Sequence, residues 1–127
     1  RGTIVTLDPV IVAPGRGTLV LDVTLPAGYA VNAEAPSSLQ LSPATVATLR
    51  PPTRTSADLT GTKLPVTVPV LYEGAGELSV DVTLVYCEKT SPQLCLIEQI
   101  RFVAPLTVAG DGGSRLILMH QLDLPDR

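Results

Sequence analysis

The chain alternates apolar and polar residues over several segments, with the two-residue period of half-buried β-strands. The clearest case is segment 78–87, where one face is apolar and the other is mostly polar. The apolar face carries Leu78, Val80, Val82, Leu84 and Tyr86. The other face carries Ser79, Asp81, Thr83, Val85 and Cys87. We therefore expect the first face to pack on the core and the second to be the wetter one.

Segment 95–108 predicts a return strand that pairs with 77–87 as one antiparallel hairpin. If Cys87 stands opposite Cys95, the same register produces an apolar pair, a polar pair and a pair of opposite charge. These pairs are Val85 with Ile97, Thr83 with Gln99 and Asp81 with Arg101. Both cysteines then project to the less apolar side of the hairpin. The pattern thus predicts that Cys87 and Cys95 can be bonded.

Further strands are predicted at 18–25, at 64–72 and in the last segment, SRLILMHQLDLP. Turn-prone residues close each of them. Pro65 and Pro69 lack the amide donor that a central strand needs, so we expect segment 64–72 to lie at a sheet edge or to be interrupted there.

One short helix is predicted at 42–49, where Ser42 could cap the helix and Pro43 could occupy its first position. The polar, proline-bearing stretch 50–61 is predicted to be a long exposed loop. Many short strands with frequent turns favour an all-β fold. We expect a two-sheet antiparallel immunoglobulin-like β-sandwich with about 7–8 strands, forming a single domain over residues 1–127.

Composition narrows the functional classes. The chain has 127 residues, of which 45% are hydrophobic, and a formal net charge of -3. Its nine lysines and arginines are scattered, which argues against nucleic acid or an anionic membrane as a partner. No run of about 18 apolar residues occurs, so no membrane insertion by this segment is expected. Arg1 is followed at once by a strand-like segment, which suggests a piece of a larger protein.

The order of strand, Gly-Tyr turn, long loop, VPV strand and a VTLVY strand ending in a cysteine resembles a known family. Segments PAGYAVNAEAPSSLQL (26–41) and LPVTVPVLYEGAGELSVDVTLVYC (64–87) carry the likeness. They resemble the N-terminal periplasmic domain of DsbD-type thiol-disulfide interchange proteins. The NAEAPS segment and the longer insert between VYC and LC are more similar to the C-terminal immunoglobulin-like domain of bacterial thioredoxin-like, NHL-repeat-containing proteins.

This resemblance implies an extracytoplasmic domain, periplasmic or on the cell surface, whose cysteine pair matches Cys87 and Cys95. In the DsbD family that pair passes electrons to partner proteins. The chain departs from the family pattern in several places. Leu94, Leu96 and Ile97 stand where the family has aromatic residues around the second cysteine. Asn32 stands where a second tyrosine is expected after Tyr29. Loop 50–61 has no aromatic residue that could cover the cysteines as a cap.

Three readings of the cysteines remain open: a structural disulfide, a redox-active pair, or two unpaired thiols. Closing so short a loop would stabilise the fold by roughly 2.6 kcal/mol in the chain-entropy model. A redox role needs an accessible thiolate beside positive charge, and the connecting loop offers only Lys89, opposed by Glu88. His120 lies within a leucine stripe, which favours packing over catalysis. Two cysteines and one histidine are too few for a closed zinc site, and no cofactor motif occurs.

Three functions follow as hypotheses. The first, which we favour, is a non-catalytic accessory domain that docks onto a thioredoxin-like or propeller domain of the same or a partner protein and contains a mainly structural disulfide. The second is a thiol-disulfide oxidoreductase that uses Cys87 and Cys95 as an electron relay. The third is an adhesion-type immunoglobulin-like binding module, which would show no thiol dependence.

Overall fold

A computed structural model of the chain describes residues 2–90 and 94–123, and within these ranges it contains strands and no helix. The strands, in chain order, are β1 (Gly2–Thr6), β2 (Val10–Val12), β3 (Gly15–Thr24), β4 (Tyr29–Val31), β5 (Ser38–Ser42), β6 (Ala47–Leu49), β7 (Ser56–Asp58), β8 (Val66–Tyr72), β9 (Gly76–Glu88), β10 (Cys95–Val108) and β11 (Arg115–Gln121). The all-β prediction is confirmed.

The strands form two sheets. The large sheet has the order β1-β10-β9-β5-β7, with β2 beside β10 and β4 beside β9, and the small sheet has the order β11-β3-β8-β6. Three pairings are parallel, namely β1 with β10, β2 with β10 and β11 with β3. The expectation of purely antiparallel sheets is therefore wrong. The expected 7–8 strands are also too few, because the three-residue strands β2, β4, β6 and β7 are too short to show alternation in the sequence.

Both sheets contribute to one hydrophobic cluster. Its largest fully buried side chains are Tyr72, Tyr86 and Phe102, followed by aliphatic residues of both sheets. The apolar face predicted for segment 78–87 is buried throughout and contributes five residues to this cluster: Leu78, Val80, Val82, Leu84 and Tyr86. Burial of these aliphatic side chains, each contributing about 1.5–3 kcal/mol, holds the two sheets together.

The predicted hairpin register is confirmed. Strands β9 and β10 pair antiparallel with Cys95 opposite Cys87 and Arg101 opposite Asp81. The guanidinium Nε of Arg101 donates a hydrogen bond to Oδ1 of Asp81 over 2.7 Å. This hairpin forms the centre of the large sheet and positions the cysteines at one end of it.

Segment 42–61 differs from its prediction. Residues 43–46 form a single turn, in which the amide of Val46 donates to the carbonyl of Pro43, and strand β6 replaces the second half of the expected helix. All three β6 residues are buried, Ala47 and Leu49 in the hydrophobic cluster, and this tertiary burial overrides the local helix signals. The expected exposed loop contains strand β7, which pairs with β5, and Leu59, which is only 2% exposed.

The edge prediction for segment 64–72 is partly correct. Strand β8 lies between β3 and β6. Because β6 pairs only with Val70–Tyr72, the proline-bearing first half of β8 still lies along the open edge of the small sheet.

Candidate functional site

A disulfide between Cys87 and Cys95 closes the end of the β9–β10 hairpin. In antiparallel pairs, hydrogen-bonded and non-hydrogen-bonded positions alternate. The amide of Glu88 donates to the carbonyl of Leu94 over 3.0 Å, so the neighbouring pair of Cys87 and Cys95 is a non-hydrogen-bonded one. Such pairs bring the Cα atoms closest, and here they are 4.0 Å apart, slightly below the usual disulfide range of about 4.4–6.8 Å.

The two cysteines differ in their exposure to solvent. Cys87 is 5% exposed because β4 runs alongside it, with Ala30 directly opposite. Cys95 is exposed, since β1 pairs with β10 only from Gln99 onward. The expectation that both cysteines occupy a wet face is therefore wrong for Cys87. The segment that contains β4 covers this end of the outer face and buries Val85 as well.

Asn32 lies against the buried sulfur. Its side-chain amide nitrogen donates a hydrogen bond to Sγ of Cys87 over 3.2 Å. Its Oδ1 accepts from the amides of Glu34 and Ala35, at 2.8 and 2.6 Å. Because these two backbone donors require the amide oxygen, they orient the NH₂ group of Asn32 toward the sulfur.

The backbone of Asn32 ties the same residue to two further elements. Its amide donates to the carbonyl of Val85 on β9, and its carbonyl accepts from the amide of Gly61. Ser37 makes a similar connection. Its Oγ accepts a hydrogen bond from the amide of Val85 over 2.9 Å, and its carbonyl accepts one from the amide of Leu59. Segment 32–37 thus joins the end of the 50–61 segment to the strand that carries Cys87.

Two tyrosines lie on the core side of the same corner. The rings of Tyr29 and Tyr86 meet edge to face, with centroids 5.7 Å apart and an interplanar angle of 70°. Val31 stands opposite Tyr86 in the β4–β9 pairing. Aromatic contacts of this geometry add about 0.5–1.5 kcal/mol beyond area burial. They fix β4 beside β9 and so help to keep Cys87 covered.

The charges near the disulfide are sparse. Lys89 is exposed, its backbone amide donating to the carbonyl of Gly28, and Glu88 is half-buried. On the other side of the disulfide, Leu94 and Ile97 are 57% and 60% exposed and flank Cys95 with aliphatic surface. Apolar neighbours and a nearby carboxylate both disfavour a thiolate. This surrounding favours a stable disulfide over an activated one.

A groove of about 580 Å³ adjoins this corner. It lies between the β3–β4 connection and loop 62–65, and its wall includes Leu25, Tyr29, Val31 and Leu64. Lys63 and Lys89, the two lysines of the chain, also line it, together with Asp22. The lining of the groove therefore combines apolar side chains with two lysines and one aspartate.

Sequence analysis identified the cysteines, but it named Asn32 only as a departure from the family pattern and not as a partner of Cys87, and it did not single out Ser37. The only sequence signal for them was a polar, turn-forming segment after β4.

His120 lies half-buried on β11 of the small sheet, opposite Val23, whereas both cysteines belong to the large sheet. Among the described residues, no group of three metal-ligating side chains occurs, and no helix is long and apolar enough to cross a membrane.

Comparison of the sequence with known protein families finds no match, and comparison with curated proteins finds none either.

Proposed function

We propose that this chain is a non-catalytic accessory domain with an immunoglobulin-like β-sandwich fold, part of an extracytoplasmic thioredoxin-like or NHL-repeat protein, and that its disulfide is mainly structural. The observation that carries the structural role is the burial of Cys87 beside β4, with its sulfur accepting a hydrogen bond from the side-chain amide of Asn32. A sulfur embedded in this way stabilises the corner where β4 meets the hairpin.

The two packed sheets and the single shared core support the immunoglobulin-like assignment. The disulfide is compatible with an oxidising, extracytoplasmic compartment. The resemblance of segments 26–41 and 64–87 to the two families named above supports a thioredoxin-like or propeller domain as the partner.

The groove beside the disulfide supports a docking role. Its apolar side chains and its two lysines suit an acidic surface with projecting aliphatic side chains. A partner docked there would contact the covered corner of the domain rather than the sulfur atoms themselves. Binding would then be independent of the thiol chemistry.

Titration calorimetry with a thioredoxin-like or propeller domain of the parent protein tests this proposal. The wild-type domain and the double variant Cys87→Ser with Cys95→Ser should bind with similar affinity while both are folded. The double variant Lys63→Glu with Lys89→Glu should bind at least about tenfold more weakly, a loss of about 1.4 kcal/mol. Arg54→Glu, an exposed charge reversal outside the groove, serves as the control. Absence of binding, or equal affinity in the lysine and arginine variants, would contradict the proposal.

A second candidate function, thiol-disulfide exchange, is favoured by the unequal exposure of the cysteines. An incoming thiolate of a partner dithiol would attack the exposed Sγ of Cys95, forming a mixed disulfide, and Cys87 would leave as a thiolate. The partner's second thiolate would then release Cys95, so that two electrons pass from the partner to this pair. A partner variant that lacks its second cysteine should trap the mixed disulfide on Cys95. Absence of such an adduct would dismiss the relay.

A further inference from the structure

Strand β11 forms one edge of the small sheet and pairs on its other side with β3. Among the described residues, strand β2 forms a bridge with Gly113, just before β11 begins, and lies near the start of β11 without pairing with it. Open strand edges invite pairing with other chains, and proteins commonly protect them with prolines, charges or short lengths. An edge that lacks such protection is therefore a candidate for pairing with a strand of another chain.

The other edges of the described sheets carry such protection or are shorter than β11; the edge strand β1 has five residues and no charge or proline of its own. Strand β1 is separated from β2 by Asp8 and Pro9, while β6 and β7 have only three residues each. The open part of β8 is bounded by Pro65 and Pro69. Strand β11 has seven residues without a proline, and its five central residues Leu116–His120 carry no carboxylate, lysine or arginine.

The outward face of β11 is apolar as well. Ile117 is 44% exposed and Met119 is 61% exposed, whereas Leu116 and Leu118 are buried. Exposed aliphatic side chains on an unprotected edge are the combination that favours strand addition.

We propose that the open edge of β11 pairs antiparallel with β11 of a second copy of this chain. A twofold axis centred on Leu118 overlaps all seven residues of both strands. It places Ile117 opposite Met119 of the second copy, and Arg115 opposite Gln121 of the second copy, each twice. No like charges face each other, and the two exposed apolar residues cover one another. The two small sheets then form one continuous sheet across the dimer.

Strand β11 does not line the groove, and the test of this inference needs no docking partner, so the inference does not rest on the proposed docking function. Light scattering after size exclusion, on the disulfide-intact chain over a dilution series, should give a mass near twice 13.3 kDa that falls toward 13.3 kDa on dilution. A mass of 13.3 kDa at every concentration would overturn the proposal.

Substitutions then locate the interface. Ile117→Lys and Met119→Lys each place a charge on the exposed face and should give a monomer at all concentrations. Ile4→Lys is the matched control, because Ile4 is 70% exposed but lies on β1 of the other sheet, and it should remain dimeric. A dimer that persists in the β11 variants, or that is equally lost in the control, would overturn the proposal.

The register has its own test. Single variants Ile117→Cys and Met119→Cys are oxidised separately and as a mixture, with the native disulfide intact. Directly opposed residues crosslink most readily, so the mixture should give a covalent heterodimer in clear excess over either variant alone. Equal crosslinking in all three samples would contradict the antiparallel register centred on Leu118.

Discussion

The side-chain amide of Asn32 donates a hydrogen bond to Sγ of Cys87 across 55 positions of sequence, at a distance of 3.2 Å. This contact joins the connection after β4 to the buried half of the disulfide. In the reduced protein the same amide would donate a hydrogen bond to the sulfur of Cys87. That hydrogen bond would strengthen if the sulfur became a thiolate.

We expect Asn32→Asp to make the disulfide harder to reduce. Aspartate keeps the acceptor for the amides of Glu34 and Ala35 but removes the donor to the sulfur. A hydrogen bond to a charged group contributes about 1.5–3 kcal/mol, so the equilibrium with dithiothreitol at alkaline pH should shift toward the disulfide by about tenfold or more. Gln40→Glu, an exposed amide-to-carboxylate change elsewhere on the large sheet, should leave the equilibrium unchanged. An unchanged equilibrium in Asn32→Asp would show that the amide does not act on the sulfur.

Removal of the disulfide should cost much more stability under oxidising than under reducing conditions. In the chain-entropy model, Cys87→Ser lowers the free energy of unfolding by roughly 2–3 kcal/mol relative to the oxidised wild type. In reductant the difference between the two proteins should be much smaller. Urea denaturation in both buffers measures this, and equal losses would mean that packing of the side chain, and not the crosslink, is responsible.

Ionisation of the Tyr72 hydroxyl should lower the free energy of unfolding at high pH. Its side chain is 1% exposed, and its hydroxyl donates to the carbonyl of Thr18 over 2.7 Å. Burial raises the pKa of Tyr72 to about 12, against a smaller opposing effect of a hydrogen bond with the Leu116 backbone. Because the folded pKa lies above the unfolded value, the stabilisation is complete below about pH 10 and is lost as pH rises toward 12.

Ultraviolet titration should therefore find a tyrosine that ionises near pH 12. Tyr72→Phe should remove that late ionisation and reduce the loss of stability between pH 10 and 12. Retention of the late ionisation in the variant would assign it to another tyrosine.

The ion pair between Asp81 and Arg101 should contribute little to stability. Both side chains are substantially exposed, and exposed pairs are screened by water and salt. The hydrogen bond to Asp81 and the negative charge of Asp81 raise the pKa of Arg101, whose guanidinium stays protonated in any case. Asp81→Asn should change the urea midpoint only slightly at low salt and not measurably at high salt. A large change at both salt concentrations would contradict this.

The sequence predicted the parts of the fold that depend on long, regular strands. Placing Cys87 opposite Cys95 specified the β9–β10 register, which the chemistry of the opposed pairs supported, including Asp81 opposite Arg101. Strands of three residues, such as β6 and β7, give no periodic signal, and their burial depends on tertiary contacts. For the same reason the contact of Asn32 with Cys87 could not be predicted, since it arises only when β4 packs beside β9.

The reduction potential of the Cys87–Cys95 bond tests the central claim most directly. The domain is equilibrated with a thioredoxin-like partner, and the free thiols at equilibrium give the reduction potential. The time course of free thiols gives the exchange rate. A structural disulfide predicts a potential below about -300 mV and exchange no faster than with glutathione. A potential near about -270 mV with exchange well above the glutathione rate would contradict the structural role and establish the pair as a relay.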